Sequence, residues 1–414
     1  MTPVAVLHAR QLVTLAGPKR VRIRGEMRGL GIIEDGAMLI EDGRITSVGP
    51  SSEIEKTLRS GIEVVDATGQ CVLPGFVDAH THPVFGGSRV DEFELRAQGA
   101  TYEEIAASGG GIRSTVRKTR AASADELLDQ AKRHANWFLR GGTTTVEAKS
   151  GYGLSEDEEL KLLRVIRRLN QESPLEFVPT FLGAHAIPDE FRNAPEQYVA
   201  LVIHKMLPRV VEESLAESCD IFCERGYFEI ADAEKIMRAA QEQGLRLRMH
   251  VDQLTNSGGA FLAARLRAAT ADHLEQINSG EISALAEANV QPVLLPGSVY
   301  ALGKDRYPPA RDMIDAGLGV VVATDFNPGS SPTPSMPMVL SLAATQMKMT
   351  PAESLTAATI NAAYSLNRGD KIGSLEPGKR GNFAIFDCAD YRDIAYYFGV
   401  SLVHAVYIAG QKEF

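Results

Sequence analysis

The sequence predicts an α/β protein, a closed (β/α)8 TIM barrel with a small β-sandwich domain formed by both chain termini. Strands alternate with helices through the middle of the chain, whereas both ends are rich in short strands and turns. Eight strand ends can be placed in the middle, at His80, Lys149, His185, Glu224, His250, His273, Pro296 and Asp325. With 414 residues, of which 44% are hydrophobic and 23% charged, the chain can bury a core of this size.

The two ends of the chain are expected to meet in one domain. Residues 1–72 would form its N-terminal part, residues 73–366 the barrel, and residues 367–414 its C-terminal part. Asp42 and Gly43 lie between two alternating apolar runs, which is a strong hairpin signal. Segments 381–387 and 405–410 alternate in the same way between Gly and Pro turns.

Helices are predicted between the barrel strands from apolar residues at helical spacing. The segments concerned are 124–139, 156–169, 231–243 and 351–366. Ser155 precedes the second of them, with Glu158 three residues later, and this pair predicts a capping box.

Charge and cysteine usage limit the partners of the protein and its compartment. The formal charge of −10 argues against nucleic acid or an anionic membrane as the main partner, but it allows a small anionic substrate that meets local cations. The four cysteines have no redox or zinc-ribbon spacing and are expected to be buried free thiols in a reducing compartment. Because neither a signal segment nor an apolar run of membrane-spanning length is found, a cytoplasmic protein is expected.

The stretch 74–83, which reads PGFVDAHTHP, carries the strongest chemical signal. Side chains alternate along a strand, so His80 and His82 leave the same face a few ångström apart. Neutral imidazole is the commonest metal ligand, and two such groups at a rigid strand end are half of a metal site. The alternative is one core histidine and one exposed histidine.

Three further ionisable residues end apolar or β-rich runs, namely His250, His273 and Asp325. The C-terminal strand ends of a barrel converge on one mouth, where the chemistry takes place. Each residue alone could be a core histidine or a helix-capping aspartate. Together with His80 and His82 they predict a site at the barrel mouth.

The 74–83 motif, the later strand-end histidines and the final Ala-Thr-Asp resemble the metal-dependent amidohydrolase superfamily over essentially the whole chain. Five other motifs resemble the branch that hydrolyses the ring amide of 4-imidazolone-5-propanoate to N-formimidoyl-L-glutamate in histidine breakdown. They are residues 85–93, 109–115, 147–153, 181–188 and 325–330.

The resemblance implies a distorted barrel that binds one divalent or trivalent metal ion, zinc or iron. Its ligands would be His80, His82, His250 and Asp325. Binuclear relatives use a modified lysine at the end of the fourth strand, where this chain reads IFCER over 221–225. Because Lys149 ends a different strand, one metal is favoured over a second one assisted by Glu224.

The resemblance also implies roles for residues around the metal. Arg89 would bind the propionate, because a guanidinium can hold a carboxylate through two parallel hydrogen bonds. Tyr152 and His185 would contact the substrate, and His185 could donate a hydrogen bond to the developing oxyanion. His273 would hold the nucleophile or move its proton, a role that Asp325 could share.

Other polar residues are expected to orient the substrate rather than to transfer protons. Gln253 stands where some relatives carry glutamate, and an amide has no useful acid–base pKa. Asn327, Gly329 and Ser330 follow the last strand and would line the mouth, although a polar turn without a ligand would look similar. We hypothesise that residues 109–111 form a mobile flap, with a plain flexible loop as the alternative.

Two other function classes stay open at this point. A hydantoinase-like or deaminase-like hydrolase would use the same metal centre, and only Arg89, Tyr152 and His185 argue against it. A barrel that has lost catalysis and acts as a binding module would be expected to lack part of the ligand set. The resemblance further implies a homodimer.

Overall fold

The computed structural model describes residues 2–100, 104–105 and 109–414. The strands of these residues fall into two sheets of eight. In chain order they are β1 (Val4–Val13), β2 (Ile32–Glu41), β3 (Arg44–Pro50), β4 (Glu63–Asp66), β5 (Cys71–Pro74), β6 (Phe76–Asp78), β7 (Thr143–Lys149), β8 (Glu176–Ala184), β9 (Ser218–Cys223), β10 (Arg246–Val251), β11 (Thr270–His273), β12 (Gln291–Leu294), β13 (Val321–Val322), β14 (Phe383–Phe386), β15 (Val403–Ile408) and β16 (Gln411–Lys412).

Strands β6 to β13 form the barrel, each pairing in parallel with the next along the chain. The first and last strands meet just beyond their C-terminal ends. There the Asp325 N–H donates to the His80 carbonyl at 3.0 Å, and the His82 N–H donates to the Phe326 carbonyl at 2.8 Å. The sheet is therefore a nearly closed barrel, as predicted, and its closure lies at the mouth.

The predicted strand ends agree with the structure to within three residues. Lys149 and His273 end β7 and β11, and His250 is the penultimate residue of β10. The other five follow their strands by one to three residues, Asp325 being the furthest. The apolar runs thus located the whole barrel correctly.

The terminal segments form the second sheet, as predicted. Its order is β16-β15-β14-β5-β1-β2-β3, with β4 also on β1, so that β5 and β14 join the two ends of the chain. The β2–β3 hairpin turns at Asp42 and Gly43, which have φ values of 50° and 75°. This left-handed pair is what a two-residue hairpin turn requires, and it confirms the hairpin.

Most helices cover the outside of the barrel, together with short 3-10 and π turns, whereas Ser51–Ile54 packs on strands β1 to β3 of the terminal sheet. Their bounds are Ser51–Ile54, Val90–Ala97, Ile112–Ala121, Ala124–Arg140, Glu156–Glu172, Pro195–Leu201, Leu207–Glu212, Ile230–Glu242, Gly259–Leu266, Ser279–Ala288, Pro296–Ala301, Ala310–Ala316, Met336–Met347, Pro351–Ala357, Ile360–Ser365 and Asp393–Tyr396. In the described parts of the chain, no helix has both the length and the apolar character needed to cross a membrane.

Two helix predictions need correction. The segment 351–366 is two helices rather than one, because the Ala358 carbonyl leaves the helix to accept the Val77 N–H of β6 at 2.9 Å. The capping box predicted for Ser155 and Glu158 is wrong, since the Ser155 side chain makes no capping hydrogen bond. Instead, the buried side chain of Glu159, one residue further on, accepts hydrogen bonds from the backbone N–H groups of Gly151, Gly153 and Leu154.

Candidate metal centre and substrate cavity

The four predicted metal ligands are buried and lie together at the barrel mouth. One ring nitrogen from each of His80, His82 and His250 lies within 4.8 Å of the others. One possible ligand atom from each of His80, His273 and Asp325 also lies within 4.8 Å of the others. The structure therefore brings the predicted ligands into one cluster and adds His273 to its edge.

Backbone and side-chain contacts hold the first and last strand ends against each other. Asp78 accepts hydrogen bonds from the Thr324 backbone N–H at 3.0 Å and from the Thr324 hydroxyl at 2.6 Å. Together with the backbone bonds between Asp325 and His80, these contacts fix the carboxylate opposite the histidine pair. Asp325 itself has a φ of 53°, an uncommon left-handed conformation for a residue with a side chain.

The protonation states in this cluster suit a metal ion. Burial lowers the pKa of His80 and of His82 well below the usual range, so both imidazoles are neutral and can act as ligands. Burial raises the pKa of Asp325 to about 7. A buried carboxylate is stabilised in its ionised form by a nearby cation, so this site favours a cation.

Unsatisfied nitrogens support the same conclusion. The buried Nε2 atoms of His80 and His250 have no hydrogen-bond partner among the residues that the structure describes, and the Nε2 atoms of His80 and His82 lie 3.7 and 3.6 Å from the Asp325 carboxylate. Buried polar atoms are usually paired, and each unpaired one calls for an explanation such as an ion. The donor set of imidazole and carboxylate is one that zinc or iron accepts.

His273 is oriented by a carboxylate that sequence reasoning missed. Its Nδ1 lies 3.3 Å from Oε1 of Glu275, and both side chains are buried. Burial lowers the pKa of His273, but the charge and hydrogen bond of Glu275 together with the charges of Asp325 and Asp272 outweigh it, and the resulting pKa is raised. The only sequence feature that could have predicted this contact was a glutamate two residues beyond a strand-end histidine.

A cavity of about 110 Å³ opens beside the cluster. The predicted site residues line it, with the exceptions of His80, which lies beneath, and Gly329. Six lining residues were not predicted, namely Ile112, Phe222, Tyr227, Leu254, Leu302 and Lys304. Five of these six carry aliphatic or aromatic side chains without charge, so hydrophobic patterning assigned them no role.

Arg89 is buried beside this cavity, although it stands in a loop. Its Nε donates to the Thr115 hydroxyl at 3.0 Å, and Glu92 lies 3.9 Å away. A Cβ atom placed on Gly329 would come within 1.8 Å of the guanidinium. Gly329 therefore provides space for Arg89 rather than a contact of its own.

His185 faces the cavity with one particular nitrogen. Its Nδ1 lies 3.0 Å from the Gly151 carbonyl, which can only accept, so the hydrogen is on Nδ1. Burial lowers the pKa of His185 to about 3, so the ring is neutral and its Nε2 is an acceptor. The expected donation to an oxyanion would need a proton on Nε2, so this geometry argues against that role.

The loop that carries Tyr152 is held by the carboxylate of Glu159, which sequence reasoning also missed. Glu159 is fully buried and accepts the backbone N–H groups of Gly151, Gly153 and Leu154 at 2.7–2.9 Å. Tyr152 lies between them, with its ring 5.4 Å from that of His185. Glu159 thus fixes the loop from inside the protein.

The loop after the last strand is a polar turn that closes on itself. Asn327 donates to the Asp325 carbonyl at 2.6 Å, and its Oδ1 accepts the N–H groups of Gly329 and Ser330 at 2.8 Å. The Ser330 hydroxyl lies 3.4 Å from the Asp325 carboxylate. Asn327 therefore shapes the turn, while Asn327 and Ser330 both still border the cavity.

Glu224 is fully used in holding the segment next to Gln253. One of its oxygens accepts the Leu254 N–H at 2.8 Å, and the other accepts the Arg225 N–H and the Thr255 hydroxyl. Lys149, on a different strand, is bonded to Glu147 and Asp220. Both observations agree with a single metal ion.

Residues 109–111 lie next to the cavity. The Gly110 N–H donates to the Ile105 carbonyl at 3.0 Å, and the Gly111 N–H donates to the Glu92 carboxylate at 3.0 Å. Ile112, the next residue, borders the cavity. The flap stays a prediction, and these contacts are what its movement would have to break.

Sequence comparisons identify close relatives. The model of the amidohydrolase family matches residues 71–412. Imidazolonepropionase from Solibacter usitatus (strain Ellin6076) is 62% identical over 411 residues, which cover 99% of this chain and 98% of the relative. Imidazolonepropionase from Geobacillus kaustophilus (strain HTA426) is 46% identical, with the same coverage of both chains.

Solved structures share the fold at low identity. An adenosine deaminase from Xanthomonas campestris with bound zinc has a TM-score of 0.74 and 19% identity, over 99% of this chain and 92% of that chain. The guanine deaminase of E. coli has a TM-score of 0.74 and 16% identity, over 100% and 99% of the two chains. At such identities the likeness concerns the fold alone.

Proposed function

The chain belongs to the amidohydrolase family, in its imidazolonepropionase branch, and we propose that the cavity described above binds 4-imidazolone-5-propanoate beside one metal ion. The reaction is hydrolysis of a carbon–nitrogen bond in a cyclic amide, which opens the ring to N-formimidoyl-L-glutamate. One observation carries the assignment of the site: unpaired buried imidazole nitrogens and a buried guanidinium, Arg89, border the same cavity of about 110 Å³.

His80, His82, His250 and Asp325 would hold the metal, which we propose to be zinc or iron. Three neutral imidazoles and one carboxylate fit both ions. When bound, such an ion supplies Lewis acidity that acidifies water and polarises a carbonyl group. The contacts among Asp78, Thr324 and the backbone keep His80, His82 and Asp325 in place.

His273 would move the proton of the attacking water. Its Nδ1–H donates to Glu275, so its Nε2 carries the lone pair that accepts the proton. The Glu275 carboxylate stabilises the imidazolium that results. The same proton can then pass to the ring nitrogen as the amide bond breaks, while the hydroxyl group of the water stays on the carbonyl carbon. Asp325 could share this transfer.

The substrate would be oriented by groups of complementary chemistry. Arg89 would bind the propionate through its terminal nitrogens, because its Nε is already used by Thr115. His185 would accept a hydrogen bond from a ring N–H at its Nε2. Tyr152, Gln253 and the turn 327–330 would complete the polar wall.

The direct test is to mix metal-loaded protein with freshly generated imidazolone propionate and to follow the loss of its ultraviolet absorbance. We expect turnover that yields an acyclic product heavier by one water, without release of ammonia. Asp325→Asn serves as the inactive control. Guanine and hydantoin, assayed in parallel, examine the deaminase and hydantoinase alternatives.

Each outcome has a distinct meaning. Absence of turnover above that of Asp325→Asn would refute the substrate assignment. Release of ammonia from an aminated base at a comparable rate would replace it with deamination. If wild-type protein still opened the ring after complete metal removal, the metal centre would be refuted and the substrate assignment would stay intact.

The wider setting of the protein follows from its chemistry. We propose a homodimer located in the cytoplasm that binds no nucleic acid. The formal charge of −10 supports the absence of nucleic acid, and the four buried free cysteines support a reducing compartment, whereas the homodimer rests on the resemblance alone. The division into a barrel at 73–366 and a terminal β domain belongs to the same proposal, and size measurement in solution would examine the dimer.

A further inference from the structure

Five charged side chains are buried directly beneath the metal ligands. Each is at most 1% exposed, and each belongs to a barrel strand: Glu147, Lys149, Asp220, Arg248 and Asp272. Burying a charge is unfavourable unless it is paired, and a buried cluster of five is rarely retained without a task. The reaction scheme above assigns no step to any of them.

The two cations hold the three carboxylates in fixed positions. Lys149 Nζ lies 2.8 Å from Oε1 of Glu147 and 2.6 Å from Oδ2 of Asp220. Arg248 lies 3.4 Å from Glu147 and 3.5 Å from Asp272. With three carboxylates against two cations, one formal negative charge is left to face the ligands.

Two of these carboxylates each contact a metal-binding histidine at the nitrogen turned away from the metal cluster. Oδ2 of Asp272 lies 2.6 Å from Nδ1 of His80, and Oδ1 of Asp220 lies 3.1 Å from Nδ1 of His250. An ionised carboxylate can only accept, so the ring hydrogen must be on Nδ1. The lone pair is then on Nε2, the nitrogen left without a partner in both rings.

We propose that Asp220 and Asp272 are positioning residues that fix the tautomers of His250 and His80 before the metal binds. Lys149 and Arg248 would act one step further out, by keeping the two carboxylates aligned. The inference rests on the metal assignment made under the proposed function. It goes beyond that assignment because it names the residues that fix the tautomers of two metal-binding histidines.

His82 provides an internal contrast. Its Nδ1 is buried and has no hydrogen-bond partner in the described residues, so no carboxylate sets its tautomer. Two imidazoles would therefore be prepared in advance, whereas the third takes its tautomer when the ion arrives. Carboxylate partners of this kind typically change metal affinity 10- to 100-fold.

The two aspartates should respond differently to replacement by asparagine. In Asp220→Asn the amide NH2 cannot face the Lys149 ammonium, so it turns toward His250 Nδ1, where it also meets the Ile221 N–H, and it moves the ring hydrogen to Nε2. In Asp272→Asn the amide oxygen can stay on His80, because the other oxygen of Asp272 has no partner in the described residues. Only the charge is then lost.

The experiment measures zinc affinity by competition with a chelator, without substrate. We expect Asp220→Asn to weaken binding roughly 100-fold and Asp272→Asn roughly 10-fold. Asp252→Asn is the matched control, because Asp252 is a buried aspartate just beyond the same strand, and its carboxylate accepts hydrogen bonds from Ser257 and Ala260 in the following segment. Its zinc affinity should not change.

A second measurement needs no variant. Nitrogen-15 spectra of histidine-labelled, metal-free wild-type protein distinguish the two tautomers, and we expect His80 and His250 to carry the hydrogen on Nδ1. The opposite tautomer in either ring would overturn the proposal, as would Asp220→Asn protein that folds and binds zinc as wild type does. Wild-type protein that binds neither zinc nor ferrous iron would refute the metal assignment itself, whereas metal binding without ring opening would refute only the substrate.

Discussion

The guanidinium of Arg89 lies against the backbone of Gly329, so close that a Cβ atom on Gly329 would come within 1.8 Å of its Nη1. The two residues are far apart in sequence, one in the loop after the first barrel strand and the other after the last. Gly329 does not have the positive φ that would make alanine strained there. Alanine at this position should therefore displace the guanidinium without unfolding the loop.

Gly329→Ala should raise KM for imidazolone propionate roughly 10- to 100-fold, the equivalent of one charge-assisted hydrogen-bonded contact. The effect on kcat should be smaller, and metal content should not change. Steady-state kinetics together with metal analysis measure both. Gly399→Ala is the control, because no atom lies within 4 Å of its added methyl group. An unaltered KM in Gly329→Ala would argue against Arg89 as the carboxylate anchor.

Glu159→Gln should weaken the loop that carries Tyr152. The carboxylate accepts three backbone N–H groups, whereas an amide offers one oxygen and places its own N–H groups against donors. We expect a loss of about 1–3 kcal/mol in the free energy of unfolding. We also expect a fall in kcat/KM of up to roughly 100-fold, because small displacements misplace the substrate.

The control for this change is Glu158→Gln, in which a partly exposed glutamate that pairs with Lys161 is altered. The free energy of unfolding of that variant in urea and its kcat/KM should both be close to those of wild type. If Glu159→Gln lost stability while kcat/KM stayed constant, Glu159 would be structural only.

His134 should make the stability of the protein depend on pH. Burial lowers its pKa to about 4, against 6.5 for a free histidine, and its Nδ1 donates to the Pro83 carbonyl at 2.8 Å. Between these two values the unfolded chain binds more protons than the folded one. Its contribution is therefore present above pH 6.5 and is lost as the pH falls toward 4, by about 3 kcal/mol in total.

His134→Asn keeps a donor for Pro83 but cannot titrate. Urea denaturation from about pH 7.5 to about pH 5 should show a shallower loss of stability in this variant than in wild type. His404→Asn, at a half-exposed surface position, should retain the wild-type slope. Identical slopes in His134→Asn and wild type would show that His134 is not kept neutral by burial.

Metal removal should affect stability as well as activity. A strong chelator should abolish ring opening, and added zinc or ferrous iron should restore it. Binding that is confined to the folded state raises the free energy of unfolding by about 4 kcal/mol when free metal exceeds the dissociation constant 1,000-fold. A melting temperature that did not respond to metal concentration would contradict the site, and Asp325→Asn should show a reduced response.

The barrel could be predicted from the sequence because its strands follow a simple apolar pattern, whereas the set of candidate metal ligands came from the resemblance to the amidohydrolase superfamily. Apolar runs marked the strands, and alternation along the first strand placed His80 and His82 on one face. His250 and His273 were found because a polar residue at the end of an apolar run is conspicuous. The helix break at Ala358 was missed because it depends on an amide of a strand more than 200 residues earlier in the chain.

The charged cluster beneath the metal was missed for the opposite reason. Glu147 and Lys149 alternate within one strand, as do Arg248 and His250 within another, and such charges usually indicate a face in contact with water. Inside a barrel the same alternation points inward. Arg248, two positions before the strand-end His250, was therefore an available signal. Its partners Glu147 and Asp272 lie on other strands, as does the Asp220 partner of Lys149, so only the fold brings these charges together.

The terminal sheet has a consequence for how this protein is made. Strand β5 lies between β1 and β14, and about 300 residues of barrel separate β5 from β14 in the chain. At a synthesis rate of about 5–20 residues per second, β14 is made roughly 15–60 s after β5. Until then the edge of β5 that pairs with β14 has no partner strand. During that interval an apolar strand with unpaired backbone groups is a template for pairing with other chains, so this edge is exposed to aggregation until synthesis is complete.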